Sequence, residues 1–329
     1  MELTNGSRYD SWQVRLKGII DLHGGRSAKS GKVVSAATKE KRADVLFTAF
    51  RQLRGLGYKL EDPTNLREKH VSALIEKWEE EGLSSATLQN RISILRVFAE
   101  WIGKPGMVKA SEKYVENPLS VKRQYVARED KSWSTNGIDI DKAIRAISEY
   151  DVYCGVQVKL IHAFGLRRKE GVMIKPLRAD KGHYLLVTDG TKGGRDRVVP
   201  IETEHQKQML AEAQALAGKN AGFITDRQLD LKQAMRRLTY VMEKFGLTKE
   251  QAGVTLHGLR HQFANDSLER KGFISPVRKA AGQAEGIGET DKEAEKLAKL
   301  AVSEELGHSR ESITGAYYGS NKRKTGEEK

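Results

Sequence analysis

The chain has 329 residues, enough for two cores, since domains commonly run to roughly 100–200 residues. Lys and Arg number 57 against 44 Asp and Glu, and the resulting charge of +13 is spread over both halves, which suits a polyanion held between two domains. Cys154 is the single cysteine, which excludes an intrachain disulfide and a cysteine metal cluster, while Arg8, Asp10, Arg15, Lys17 and Asp21 interrupt any N-terminal run long enough for a signal peptide or membrane span.

The expected compartment is therefore the reducing cytoplasm, with no membrane partner. In chain order, Tyr9, Trp12, Leu16, Ile19 and Ile20 recur at helical spacing and predict a helix over 8–22 that ends at Gly24-Gly25. The small, basic stretch Arg26–Lys32 reads as a flexible tether, so residues 1–37 form a helix plus tether. Thr38 is the expected N-cap of a second helix to Leu53, with Val45, Leu46, Ala49, Phe50 and Leu53 on its apolar face. A third runs over 66–81 and buries Val71, Leu74, Ile75 and Trp78. The fourth, over 83–102, starts at serines and carries a stripe of Leu88, Ile92, Leu95 and Ile102. Residues 38–110 thus predict a small helical domain, in which Arg91 lies off the stripe as a candidate DNA contact.

Periodicity fades over 111–136, read as an interdomain linker, and resumes at Ile138 to open a second domain over 137–329. Gly182–Ile201 then switches period, with two β-rich runs flanking Gly193-Gly194, which predicts a small hairpin or three-stranded sheet. Helices return over 203–217, 230–245 and 257–270 and from Ser303 onwards. The expected fold is mainly α with a small antiparallel β-sheet. Cys154, among apolar neighbours, reads as core packing.

Chemistry concentrates near the C-terminus. In Phe164-Gly-Leu-Arg-Arg-Lys-Glu170, Arg167 or Arg168 offers the planar fork that grips two phosphate oxygens. Lys192, at the hairpin turn, is a candidate proton donor. His257, Arg260 and His261 are three and four residues apart and share one helix face. The i, i+4 histidines raise the question of a metal, but Gly258 occupies the place where a zinc-protease motif needs its glutamate base. Around a phosphodiester the group makes better sense, with Arg260 neutralising developing charge and His257 donating hydrogen bonds. Tyr317 supplies a nucleophile, since a phenol beside cations gains phenolate character and forms a covalent link that conserves the energy of the cleaved ester.

Taken in order, these segments resemble the tyrosine recombinase (phage integrase) family, whose catalytic fold is shared with type IB topoisomerases. Gly165-Leu-Arg-Arg-Lys-Glu170 resembles the first arginine box, which implies Arg167 as catalytic and Glu170 as its supporting acid. Thr191-Lys-Gly-Gly-Arg-Asp-Arg-Val-Val-Pro-Ile201 resembles the β-hairpin lysine segment, with Lys192 as general acid for the leaving 5′ hydroxyl. His257-Gly-Leu-Arg-His261 resembles the His-x-x-Arg box, with His261 supporting, and Leu306-Gly-His-Ser-Arg310 the second histidine box, with His308 catalytic. The family places its tyrosine nine residues beyond that histidine, which selects Tyr317 over Tyr318. The departure is the long gap from Arg260 to His308, with an insertion near 272–301 that puts the packing around His308 in question.

The resemblance implies a helical core-binding (SAM-like) domain and a catalytic domain closing as a C-shaped clamp on duplex DNA, with Arg168, Arg195 and Arg197 joining Arg91 as DNA contacts. It further implies no metal or nucleotide cofactor. Recombination sites would be the substrate, a homotetramer on two duplexes would exchange strands through a Holliday junction, and accessory DNA-bending or directionality proteins would assist. A nucleoid-associated protein of a mobile genetic element is expected.

Overall fold

The computed structural model describes residues 11–27, 31–118, 121–122, 126–282, 291–308 and 315–319, and the chain divides into two units, Met1–Gln124 and Tyr125–Lys329. Tyr9, Ser309 and Arg310, the middle of the insertion and the tail beyond Gly319 lie outside the described residues.

The first unit is helical: α1 (Ser11–His23), α2 (Ala36–Gly55), α3 (Glu68–Glu80) and α4 (Ser85–Trp101). Its core takes Trp12, Leu16 and Ile20 of α1 together with Phe50, Leu74, Trp78, Leu95 and Phe98. The N-terminal helix is therefore part of this domain, because its apolar stripe has no other surface to cover. Two expectations are corrected here. The N-cap of α2 is Ser35, whose hydroxyl accepts from the Thr38 amide at 3.2 Å. The described part of the tether is pinned, since Arg26 and Val33 form an antiparallel bridge and Arg42 donates to the carbonyls of Gly24 and Arg26.

The second unit runs α5 (Ile140–Tyr150), α6 (Val152–Phe164), α7 (Arg168–Met173), α8 (Pro176–Ala179), β1 (Tyr184–Val187), β2 (Arg197–Pro200), α9 (Glu204–Lys219), α10 (Leu231–Lys244) and α11 (Lys249–Ala252). It closes with α12 (Leu256–Arg270), α13 (Pro276–Ala280), α14 (Lys292–Glu305) and α15 (Gly315–Tyr318). β1 and β2 pair antiparallel, Leu185 opposite Val199, in a two-stranded sheet. Apolar α6 is wrapped by α5, α7, α9 and α12, so the core of this unit lies around it. Cys154 sits in that core, and burial with the Asp151 carboxylate pushes its thiol up to about 12. Among the described residues no helix is long and apolar enough to cross a membrane.

Residues 126–136, expected as linker, belong to this unit. Trp133 is fully buried and its indole N–H donates to the Thr255 carbonyl at 2.7 Å, while Ser134 donates to Gln262. This segment lies against the start of α12 so closely that a Cβ on Gly258 would come within 2.6 Å of the Lys131 carbonyl oxygen. Glycine in the His-x-x-Arg segment is thus a packing requirement. The described parts of the insertion include α13 and most of α14, and beyond them Val302 and Leu306 enter the core.

Candidate active site

Three backbone corners bring the polar side chains together. α6 ends at Gly165, whose left-handed φ of 56° turns the chain so that Arg167 opens α7. Glu170, three residues on, reaches back to accept the Arg167 amide at 2.7 Å and the Arg167 guanidinium at 2.7 Å. The second corner is the first turn of α12, which presents His257, Arg260 and His261 from one face. The third is the end of α14, where the carbonyls of Glu305 and Leu306 meet arginine side chains.

Arginines satisfy those carbonyls. The Leu306 oxygen accepts from Arg167 Nη2 at 3.1 Å and from Arg260 Nη2, and the Gly165 oxygen accepts from Arg260 Nη1. Arg260 is fully buried, and its remaining donor, Nε, points at the Tyr317 hydroxyl at 3.1 Å. His308 Nε2 lies 3.5 Å from the same oxygen. The rings of His261, His257 and His308 surround that of Tyr317, with His261 nearest at 4.7 Å between centroids.

Burial and the arginine charges hold the histidines neutral. His257 is pushed down to about 4 by desolvation, with the charges of Arg260 and Arg167 adding to it. His308 falls to about 4 for the same reasons, with Arg197 and Lys192 adding their charges. His261, desolvated beneath Tyr317 and beside His257, falls to about 3. Burial alone would raise Glu170, but the Arg197 and Arg167 guanidiniums outweigh it and hold the carboxyl down to about 2. Neutral imidazoles beside fixed cations can pass protons or donate hydrogen bonds to an anion without titrating near neutral pH.

The structure also separates the two adjacent phenols. Tyr317 turns into the cluster, whereas Tyr318 is fully buried in the core, its hydroxyl lacks a hydrogen-bond partner among the described residues, and burial drives its ionisation out of reach.

Lys192 stands in a short 3-10 turn, Lys192–Gly194, within the β1–β2 connection; it is exposed, and its charge still reaches His308. Arg168 and Arg195 are exposed, Arg168 donating to Thr239 at 2.9 Å. Arg91 is half-buried, with its guanidinium 5.1 Å over the Trp78 ring and one terminal nitrogen unpartnered among the described residues. Arg197 is the correction. Expected at the DNA surface, it is buried at 4% exposure, donates to Glu170 at 2.7 Å and to the Glu305 and Gly165 carbonyls, and is held at about 10 by burial beside Arg260. The residues that the sequence reading missed are Glu305, Ser267 and Lys271. Glu305 accepts from Ser267 at 2.7 Å and from Lys271 at 2.9 Å, which fixes the turn carrying His308. Spacing alone gave no signal for them.

A family model described as "Integrase" matches residues 127–266, and one described as "Phage integrase, N-terminal" matches residues 27–108. The tyrosine recombinase XerC of Xanthomonas axonopodis pv. citri is 24% identical over 230 residues, covering 66% of this chain and 70% of that protein. The chain belongs to the tyrosine recombinase family. As a tyrosine recombinase it is an enzyme of DNA breakage and rejoining. Solved structures of the same fold include a lambda integrase dimer bound to a COC′ core site, with TM-score 0.59, 16% identity and coverage of 96% of this chain and 98% of that one. A lambda integrase tetramer bound to a Holliday junction superposes with TM-score 0.53, at 16% identity over 94% of this chain and 84% of that one.

Proposed function

We propose that this tyrosine recombinase exchanges strands between two copies of a specific DNA site, through a 3′-phosphotyrosyl intermediate, on behalf of a mobile genetic element. The observation that carries the chemistry is the Tyr317 hydroxyl held between Arg260 Nε and His308 Nε2, with Arg167 on the same carbonyl as Arg260.

In this reading Arg167 and Arg260 bind the non-bridging oxygens of the scissile phosphate and offset the charge that grows in the transition state. The Tyr317 oxygen attacks phosphorus, the phenolic proton passes to a neutral imidazole, and the bond from phosphorus to the 5′ oxygen breaks. Lys192 gives its proton to that oxygen, and His257 donates a hydrogen bond to the phosphate. The ester energy is kept in the phosphotyrosine, so rejoining to a second strand needs no nucleotide. Two rounds on paired duplexes pass through a Holliday junction and call for four protomers, the assembly in which lambda integrase is found. Arg91, Arg168 and Arg195 are assigned to phosphate contacts along the duplex, on the strength of their position and of the +13 charge.

The test is a suicide substrate with a nick close to the cleavage site, which loses the short 5′ strand and traps the adduct. The wild type is expected to form a covalent protein–DNA species that Tyr317→Phe abolishes and Tyr318→Phe retains. An adduct surviving in Tyr317→Phe overturns the assigned nucleophile, and no wild-type adduct on any bound site favours a non-cutting DNA-bridging protein.

A further inference from the structure

The first half of the insertion carries a side chain that nothing in the cleavage reaction uses. Arg278, on α13, is 5% exposed and is met by three carboxylates: Glu269 at 2.6 Å, Asp266 at 2.7 Å and Asp130 at 3.4 Å. Asp266 and Glu269 lie one turn apart on α12, the helix of His257 and Arg260. Asp130 is itself fixed by Ser132, Thr135 and Asn265. Charge pairing of this density on a short helix far in sequence from either catalytic histidine locks α13 in one place.

What α13 touches there is the tyrosine helix. A Cβ on Gly319, whose φ is +77°, would stand 2.8 Å from Val277 Cγ1 and 3.0 Å from the Ala127 carbonyl oxygen. At the other end of α15, the Ala127 amide donates to the Gly315 carbonyl at 2.8 Å. The short helix bearing Tyr317 is therefore clasped at both ends, by α13 and by the stretch that leads to Asp130. Arg278 ties both jaws to α12, since it bonds Asp130 on one side and Asp266 and Glu269 on the other.

We propose that Arg278 is a positioning residue for the nucleophile: through the clasp it holds Tyr317 against Arg260 and His308 of its own site. This rests on Tyr317 being the attacking group. The expected consequence is selective. Cutting needs the tyrosine to be in place, and a misplacement of about 1 Å costs about 10²-fold. Joining does not need it when the strand end already carries a good leaving group. With a 3′-p-nitrophenyl phosphate end, the 5′ hydroxyl of the partner strand attacks phosphorus, p-nitrophenolate leaves and the hydroxyl proton goes to a site base.

The experiment compares Arg278→Met with the wild-type full chain in three assays: adduct formation on the suicide substrate, joining of the p-nitrophenyl substrate, and DNA binding by mobility shift. Cutting is expected to fall about 10²-fold while joining and binding stay within about threefold; Arg278→Lys, which keeps a cation among the carboxylates, restores part of the cutting. Equal losses in cutting and joining, or no loss in either, overturn the proposal. If Arg278→Met does not fold, Gly319→Ala strains the contact of the tyrosine helix with Val277 and Ala127 and is expected to give the same split between cutting and joining. A wild type that forms no adduct counts against the nucleophile assignment, whereas a cutting-competent Arg278→Met counts against the clasp alone.

Discussion

Arg197 on β2 and Glu170 on α7 form an ion pair at 2.7 Å in which neither side chain is more than 2% exposed. The pair joins the segment of Arg167 to the turn of His308, because the same arginine also donates to the Glu305 carbonyl. Removing one partner of a buried pair strands the other, at a cost of roughly 3–5 kcal/mol. Arg197→Met should therefore lose about that much unfolding free energy in urea titrations, and Arg197→Met with Glu170→Gln should recover part of it. If the single variant unfolds at the wild-type urea concentration, the pair is not structural.

Lys192 is assigned to protonate the leaving 5′ oxygen, and its exposed position in the β1–β2 connection leaves it free to move onto DNA. Lys192→Ala should slow cutting by about 10²–10⁴-fold. A substrate with sulfur in place of the 5′ bridging oxygen leaves as a thiolate without needing a proton, so it should cut at close to the wild-type rate. Failure of the sulfur substrate to restore cutting assigns the lysine to phosphate binding instead.

Tyr318 offers a stability test inside the tyrosine pair. Its buried hydroxyl has no partner among the described residues, and an unsatisfied buried polar group costs roughly 1–3 kcal/mol. Tyr318→Phe should melt at the same temperature or higher and still form the adduct. A lower melting temperature means that the hydroxyl is satisfied by water.

Acid should destabilise the DNA-free protein between about pH 6.5 and 4. His162, desolvated beside His205, is pushed down to about 4, as are His257 and His308, and His261 to about 3. The unfolded chain takes up protons as pH falls through the ordinary imidazole value, while the folded chain stays neutral until about 4. Unfolding free energy thus rises with pH across that window. Urea midpoints at pH 7.5 and 5.0 check this, with the lower value expected at pH 5.0. His162→Leu, whose ring faces His205 rather than Tyr317, should narrow the difference. A midpoint that is flat or higher in acid contradicts the assignment.

Much of this site was legible in the sequence because its members fall in short segments whose spacing is set by helix periodicity, as with His257, Arg260 and His261. The helices read from apolar spacing, such as α2, α4 and α12, were recovered to within a few residues. Arg197 was misplaced although a signal was present: strand residues alternate faces, so an inward Val199 puts Arg197 inward too. Trp133 and Asp130 looked like linker because their partners, Thr255 and Arg278, lie more than a hundred residues away. The start of α14 at Lys292 and the short helix α13 gave too little periodicity to stand out from a Gly- and Glu-rich stretch. Pairing of Ala127 with Gly315 is a backbone contact, which no side-chain pattern records.

The Leu306 carbonyl accepts from both Arg167 and Arg260, two cations that would otherwise repel each other. A peptide oxygen thus offsets part of the charge that the two guanidinium groups bring together. Under the proposed reading, the seat for the scissile phosphate is assembled during folding, and the electrostatic work of gathering its charges is complete before any DNA arrives. Because that oxygen lies two residues before His308, any change of backbone course at Leu306 would loosen both arginines and the histidine at once.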